Sequence, residues 1–171
     1  AAIEGVDLVV GNRDKHEISS QVLSGLARME SRISPVRCPD VAHVSQFEML
    51  PGIAHGGRTR PFVKIQDGCN AFCTYCIVPH ARGRSRSLPM EQVLNQVESL
   101  AKLGYREVVL TGIHIGCYGQ DLRPETSLYD LLCRIRQAGA IERVRVSSIE
   151  PAELSDGIID LAVADENLPG R

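Results

Sequence analysis

Apolar positions along the chain follow two rhythms, one of strands and one of helices. Val6-Asp-Leu-Val-Val10 is a short apolar run ended by Gly11-Asn-Arg-Asp14, the pattern of a buried strand followed by a turn. Ile18, Val22 and Leu26 then recur at helical spacing. Residues 1–28 therefore read as one strand–helix unit. Such a unit cannot bury both its surfaces alone, so the rest of its domain is expected before Ala1. Between 29 and 59 the rhythm breaks at Pro35, Pro39, Pro51, Gly52, Gly56 and Gly57. That stretch reads as a linker, with a short strand around Val41–Val44.

A regular alternation starts at residue 60 and runs to 171. Pro61-Phe-Val-Lys-Ile-Gln66 is strand-like and leads into a cysteine-rich loop. Pro89 and Glu91 suit a first helical turn. Val93, Leu94, Val97, Leu100 and Ala101 form an apolar stripe, and Gly104 suits the left-handed stop after it. Arg106–Leu110 is a second strand. Ser127 and Asp130 have the spacing of a capping box, with Asp in place of Glu. Leu128, Leu131, Leu132 and Ile135 share a helical face that Gly139 ends. Arg143–Val146 is a third strand, and Leu154, Ile158 and Leu161 mark a third helix. Three strand–helix units in succession predict an α/β fold with a parallel sheet, either an open doubly wound sheet or part of a barrel. In both, chemistry gathers at the carboxyl ends of the strands. Those ends are the Cys69–Cys76 loop, the Thr111–Gly119 loop and the Ser147–Pro151 turn, which are expected to converge on one site.

Composition narrows the class. The chain has 171 residues, 43% apolar and 23% charged, which is globular and not disordered or low-complexity. Its apolar runs are far shorter than the roughly 18–20 residues of a membrane span, and no leader-like pattern opens it. The net charge of −2 argues against a protein that coats nucleic acid by bulk charge. The charge is uneven, however. Arg58, Arg60, Lys64, Arg82, Arg84 and Arg86 face only Asp67 between 58 and 86, whereas acids dominate from Glu142 onward. A basic run of this kind is either a solvated face or a binding patch.

Six cysteines stand at 38, 69, 73, 76, 117 and 133. In the reducing cytoplasm expected for this chain, clustered thiols are metal ligands more often than disulfides. Cys69-Asn-Ala-Phe-Cys73-Thr-Tyr-Cys76 lets three soft thiolates from one loop face a common centre, which selects an iron–sulfur cluster or zinc. The cluster is favoured by the lack of a nearby second cysteine pair and by the loop's place after a strand. Three ligands would also leave one iron open for substrate or cofactor. The competing reading is a structural zinc with His80 as fourth ligand, in a nucleic-acid-binding module without catalysis.

The C-x3-C-x-aromatic-C spacing, with Tyr75 as the aromatic, resembles the signature of radical S-adenosylmethionine enzymes. The wider run from Val63 through Cys69-Asn-Ala-Phe-Cys-Thr-Tyr-Cys-Ile-Val-Pro-His-Ala-Arg-Gly-Arg84 is similar to their methylthiotransferase branch. Val109-Leu-Thr-Gly-Ile-His-Ile-Gly116 with Tyr118-Gly119, and Arg145-Val-Ser-Ser-Ile-Glu-Pro151, resemble the threonylcarbamoyladenosine tRNA branch. The isopentenyladenosine branch usually carries Gln-Asn where Ile113-His114 stand. The resemblance implies part of a (β/α) TIM-like barrel, 60–171, preceded by the last strand–helix unit of an α/β amino-terminal domain, 1–28. It implies that Cys69, Cys73 and Cys76 hold a [4Fe-4S] cluster whose open iron binds S-adenosyl-L-methionine. The implied reaction replaces the hydrogen on carbon 2 of N6-threonylcarbamoyladenosine-37 in tRNA with a methylthio group. The alternatives within the family are isopentenyladenosine in tRNA or a ribosomal protein. A flavodoxin or ferredoxin would supply electrons.

The resemblance also implies a second [4Fe-4S] cluster, with ligands before Ala1 that none of Cys38, Cys117 or Cys133 matches. It further implies an RNA-binding domain beyond Arg171, so the chain is read as a fragment that lacks methylthiotransferase activity alone. Tyr75 is a candidate for the cofactor adenine, against packing beneath the loop. Gly112 is a candidate for close backbone approach to the cofactor, although Thr111-Gly112 stands where the superfamily usually has Gly-Gly-Glu. Glu150 could bind cofactor or substrate, or simply start a helix. Arg82, Arg84 and Arg86 are candidates for the cofactor carboxylate or tRNA phosphates, against a solvated face. His114 and Cys117 read as ordinary loop residues, Cys133 as core and Cys38 as incidental.

Overall fold

The computed structural model describes residues 6, 9–26, 36–37, 41, 44, 47–48, 59–147 and 149–164. The chain divides into two compact units, one of residues 1–45 and 70–84, the other of 46–69 and 85–171.

In the first unit, β1 (Val9–Val10) pairs in parallel with β2 (Val36–Arg37). A 3-10 segment, Asn12–Glu17, runs into α1 (Ile18–Leu26). The strand expected around Val41–Val44 falls instead at Val36–Arg37; Val41 and Val44 lie outside any strand, with a turn bond between them of 3.2 Å. The periodicity of α1 locates the helix but not its inner side. Ile18 and Val22 are 45% and 43% exposed, whereas Gln21 is buried and its amide reaches the Glu17 carboxylate at 3.4 Å. The same unit holds α2 (Val78–Arg82), a single turn opened by Pro79, whose missing N–H costs nothing at that position.

The second unit is built on a three-stranded parallel sheet of order β3 (Phe62–Lys64), β6 (Glu107–Thr111), β7 (Arg143–Val146). Val63 pairs with Leu110, and Leu110 with Val146. The predicted Pro61–Gln66 strand is split. Phe62–Lys64 joins the sheet, while β4 (Gln66–Asp67) turns away to pair antiparallel with β5 (Arg86–Ser87). Helix α3 (Met90–Lys102) follows Pro89 and ends before Gly104, whose φ of +88° a side chain would resist. Helix α4 (Leu128–Ala138) starts at the Ser127–Asp130 capping box and stops at left-handed Gly139. A 3-10 turn, Pro151–Glu153, precedes α5 (Asp156–Ala164).

The core lies between helices and sheet. Val93, Val97 and Leu100 of α3 and Leu131, Leu132 and Ile135 of α4 are buried together with Val108 and Leu110 of the central strand. Each such side chain contributes about 1.5–3 kcal/mol by leaving water. Strand β6 is apolar on both sides because both of its faces are covered. Among the described residues no helix is long and apolar enough to cross a membrane.

Candidate active site

The cysteine loop begins in one unit and continues in the other. Cys69 ends the segment that follows β4; Cys73 and Cys76 belong to the unit holding α2. There the Cys76 N–H donates to the Cys73 carbonyl at 2.9 Å, making a tight turn. Phe72 adopts φ +47°, uncommon for a bulky residue. Its ring meets the His80 ring edge-on at 5.8 Å, and the Arg84 guanidinium lies 5.9 Å from its centroid. Tyr75 is 91% exposed, so its ring does not pack beneath the loop. None of Cys69, Cys73 and Cys76 is in a disulfide; Cys73 is exposed and the other two half-buried.

At the carboxyl end of the sheet one amide organises two loops. Gln66 is fully buried. Its Nε2 donates to the carbonyls of Asp67 (3.1 Å) and Gly68 (2.7 Å) and to Ser85 Oγ (2.9 Å). Its Oε1 accepts from the N–H groups of Ile113 (2.9 Å) and His114 (2.8 Å). Gly112 makes this possible, because a Cβ there would stand 2.9 Å from Gln66 Oε1 and 3.0 Å from its backbone oxygen. Beside Gln66, Asp67 accepts from Lys64 at 2.6 Å and from Arg86 at 3.3 Å, and its other oxygen accepts from Gly68 N–H at 2.9 Å.

Arg86 therefore corrects the sequence reading of a basic face. It is 4% exposed and ion-paired inside the β4–β5 ribbon, unavailable to phosphate or cofactor. Arg84 stays exposed and Arg82 half-buried.

The braced loops bring four side chains together. Cys69 Sγ lies 3.5 Å from His114 Nδ1, and Cys117 Sγ lies 3.8 Å from His114 Nε2. The Cys117 thiol donates to Glu153 Oε1 at 3.6 Å, and His114 Nε2 contacts the same oxygen. Burial pushes the Cys117 thiol up to about 11, helped by the charge and hydrogen bond of Glu153 and then by Cys69. His114 and Cys117, which read as ordinary loop residues, are thus gathered around Cys69 and Glu153. The ends of all three strands contribute, as the topology predicts. Glu150 is exposed at the start of the 3-10 turn, where its N–H donates to the Glu153 carboxylate at 3.3 Å. Cys133 packs half-buried against the core, and Cys38 lies outside the described residues. Sequence reasoning missed Gln66 and Glu153. The first looks like one polar residue in a strand, and the second like one acid among several; only the Gly112 and Gly116 contacts reveal them.

This is a parallel β/α sheet whose cysteine motif follows its first strand by way of the short β4. Residues 63–163 match the model of the radical SAM superfamily, and the chain belongs to that superfamily. The fold is accordingly a partial β/α radical SAM fold, and membership implies a [4Fe-4S] cluster and S-adenosylmethionine. Among particular proteins, it is 36% identical over 168 residues to the threonylcarbamoyladenosine tRNA methylthiotransferase MtaB of Aquifex aeolicus, covering 98% of this chain and 40% of that protein. It is 38% identical over 162 residues to the MtaB of Bacillus subtilis, covering 94% and 35%. To the tRNA-2-methylthio-N(6)-dimethylallyladenosine synthase of Syntrophomonas wolfei it is 37% identical over 164 residues, covering 96% and 36%. The chain thus spans well under half the length of these curated relatives. Three cysteines within one eight-residue loop supply soft sulfur donors, the chemistry that an iron–sulfur cluster takes.

Proposed function

We propose that this chain carries the cluster-binding core of a tRNA methylthiotransferase acting on carbon 2 of N6-threonylcarbamoyladenosine-37. The observation that carries the reading is the Cys69–Cys76 loop, in the superfamily's spacing, following the first strand of a β/α sheet. The likeness to two proteins named MtaB favours that substrate. The likeness to a dimethylallyladenosine synthase, at nearly the same identity, keeps isopentenyladenosine-type tRNA as the second reading.

In this proposal Cys69, Cys73 and Cys76 hold the cluster. When bound, it would supply the electron that cleaves S-adenosylmethionine and so opens an inert carbon–hydrogen bond to attack. The protein's part is positional. Gln66 fixes the entry to Cys69 and the loop through His114, so the first thiol is held by bonds that water cannot readily replace. Tyr75 presents an exposed ring suited to stack on adenine. Gly112 and Glu150 remain candidates for cofactor contact, and Arg82 and Arg84 for tRNA phosphates. A flavodoxin or ferredoxin would be the electron donor, in the cytoplasm. The second cluster and full methylthio transfer belong to the longer protein, so this chain alone is expected to leave tRNA unmodified.

Anaerobic reconstitution with iron and sulfide tests the core of the reading. The expected product is brown, holds about four irons per chain, and yields 5′-deoxyadenosine from S-adenosylmethionine under reduction. Cys73→Ala or Cys76→Ala should abolish both. A colourless chain holding one zinc through His80 would instead support the zinc-module reading.

A further inference from the structure

Outside the three motif cysteines, the described residues contain one group able to grip a metal ion: His114, Cys117 and Glu153, with ligand atoms all within 4.8 Å of one another. We propose that His114 Nε2, Cys117 Sγ and a Glu153 oxygen form a tridentate site for a single divalent cation of the zinc class, leaving a fourth position open. This inference does not depend on the methylthiotransferase reading.

The spacing suits a small tetrahedral ion. With bonds of about 2.3 Å to sulfur and about 2.0–2.1 Å to nitrogen or oxygen, a tetrahedral zinc sets its ligand atoms roughly 3.3–3.6 Å apart. Cys117 Sγ lies 3.6 Å from Glu153 Oε1 and 3.6 and 3.8 Å from His114 Nδ1 and Nε2, so the imidazole has to turn to aim Nε2 at a shared ion. His114 and Glu153 are in direct hydrogen-bond contact, so a shift of roughly 1 Å opens the space that the ion needs. One thiolate, one imidazole and one carboxylate make a borderline-soft set, which favours zinc over magnesium or calcium.

The surroundings hold the three groups in place. His114 and Cys117 stand three positions apart around one 3-10 turn, Ile115–Cys117, and Gln66 clamps the His114 backbone. Gly116 lies between them. A Cβ there would fall 2.0 Å from Glu153 Oε2 and 2.8 Å from Glu153 Cβ, so only glycine admits this acid. The Glu150 N–H at 3.3 Å steadies the carboxylate. All three ligands are half-buried. With Nε2 on the metal, the proton of the neutral ring sits on Nδ1, which lies 3.5 Å from Cys69 Sγ and 3.6 Å from Cys117 Sγ. The site would thereby donate a hydrogen bond to the first sulfur of the motif.

Cobalt(II) tests this on the full chain carrying Cys73→Ser and Cys76→Ser, stripped of metal under anaerobic conditions. The expected result is one cobalt per chain, with tetrahedral bands in the visible and a thiolate-to-cobalt band in the near ultraviolet. Adding Cys117→Ser, with an unchanged circular dichroism spectrum, should remove the thiolate band. Glu153→Gln should keep that band but weaken binding at least about tenfold. Failure to retain cobalt would overturn the proposal. So would a spectrum that survives Cys117→Ser or that is lost with Cys69→Ala instead. Iron incorporation by the unsubstituted chain is read separately, so the two ideas fail independently.

Discussion

The two ends of the parallel sheet handle charge in opposite ways. At the amino-terminal end, Glu107 is surrounded by Arg60, Arg143 and Arg145, and Arg106 pairs with Glu142 in full view of solvent. At the carboxyl-terminal end, Asp67, Arg86 and Gln66 are buried, and each bond there orients a loop. The exposed Arg106–Glu142 pair is screened and easily replaced. The buried groups have no water to fall back on, so removing one leaves its partner stranded. The sheet therefore tolerates change at the end that carries no chemistry and resists it at the end that does.

Substitutions at the two ends sharpen this contrast. The largest effect is expected from Arg86→Ala, which takes one of two cations from the buried Asp67 carboxylate and empties its place in the β4–β5 ribbon: about 3–5 kcal/mol lost in urea unfolding. Gln66→Leu leaves the Ile113 and His114 N–H groups and the facing carbonyls without their partner. It should cost about 2–4 kcal/mol and speed hydrogen exchange at both amides. Gly116→Ala forces Glu153 aside, for about 1–3 kcal/mol. Tyr118→Phe removes the bond that its hydroxyl donates to the Leu88 carbonyl at 2.8 Å, about 1 kcal/mol. Arg106→Ala, at the other end, should leave the unfolding midpoint unchanged. A loss at Arg106 equal to that at Arg86 would break the comparison.

Alkaline titration separates the ends further. Burial, and then Asp121, hold the Tyr118 phenol well above its ordinary value of 10.0. The folded chain therefore keeps a proton that the unfolded chain gives up. Stability should fall as pH climbs past about 10, with no contribution below it. Tyr118→Phe should flatten that part of the curve relative to the parent chain.

Local signals carried much of the fold into the sequence. The Ser127–Asp130 box starts α4, Gly139 stops it, and Arg143–Val146 is a strand with those bounds. Each depends on neighbours within a few residues. The β4–β5 ribbon was invisible because two-residue strands fall below any period. Arg86 read as part of a basic face because its partner, Asp67, lies across that ribbon. The cysteine motif was legible for the same reason as the caps: its meaning is in its spacing. Gln66 and Glu153 take theirs from loops that meet only after folding.

Gly116 ties two distant positions into one unit of change. A side chain can appear at 116 only once the acid at 153 has gone or retreated, and an acid can return to 153 only after 116 is bare again. Across related chains, the pair should therefore drift in concert, glycine with glutamate, and lone exchanges at either position should be scarce.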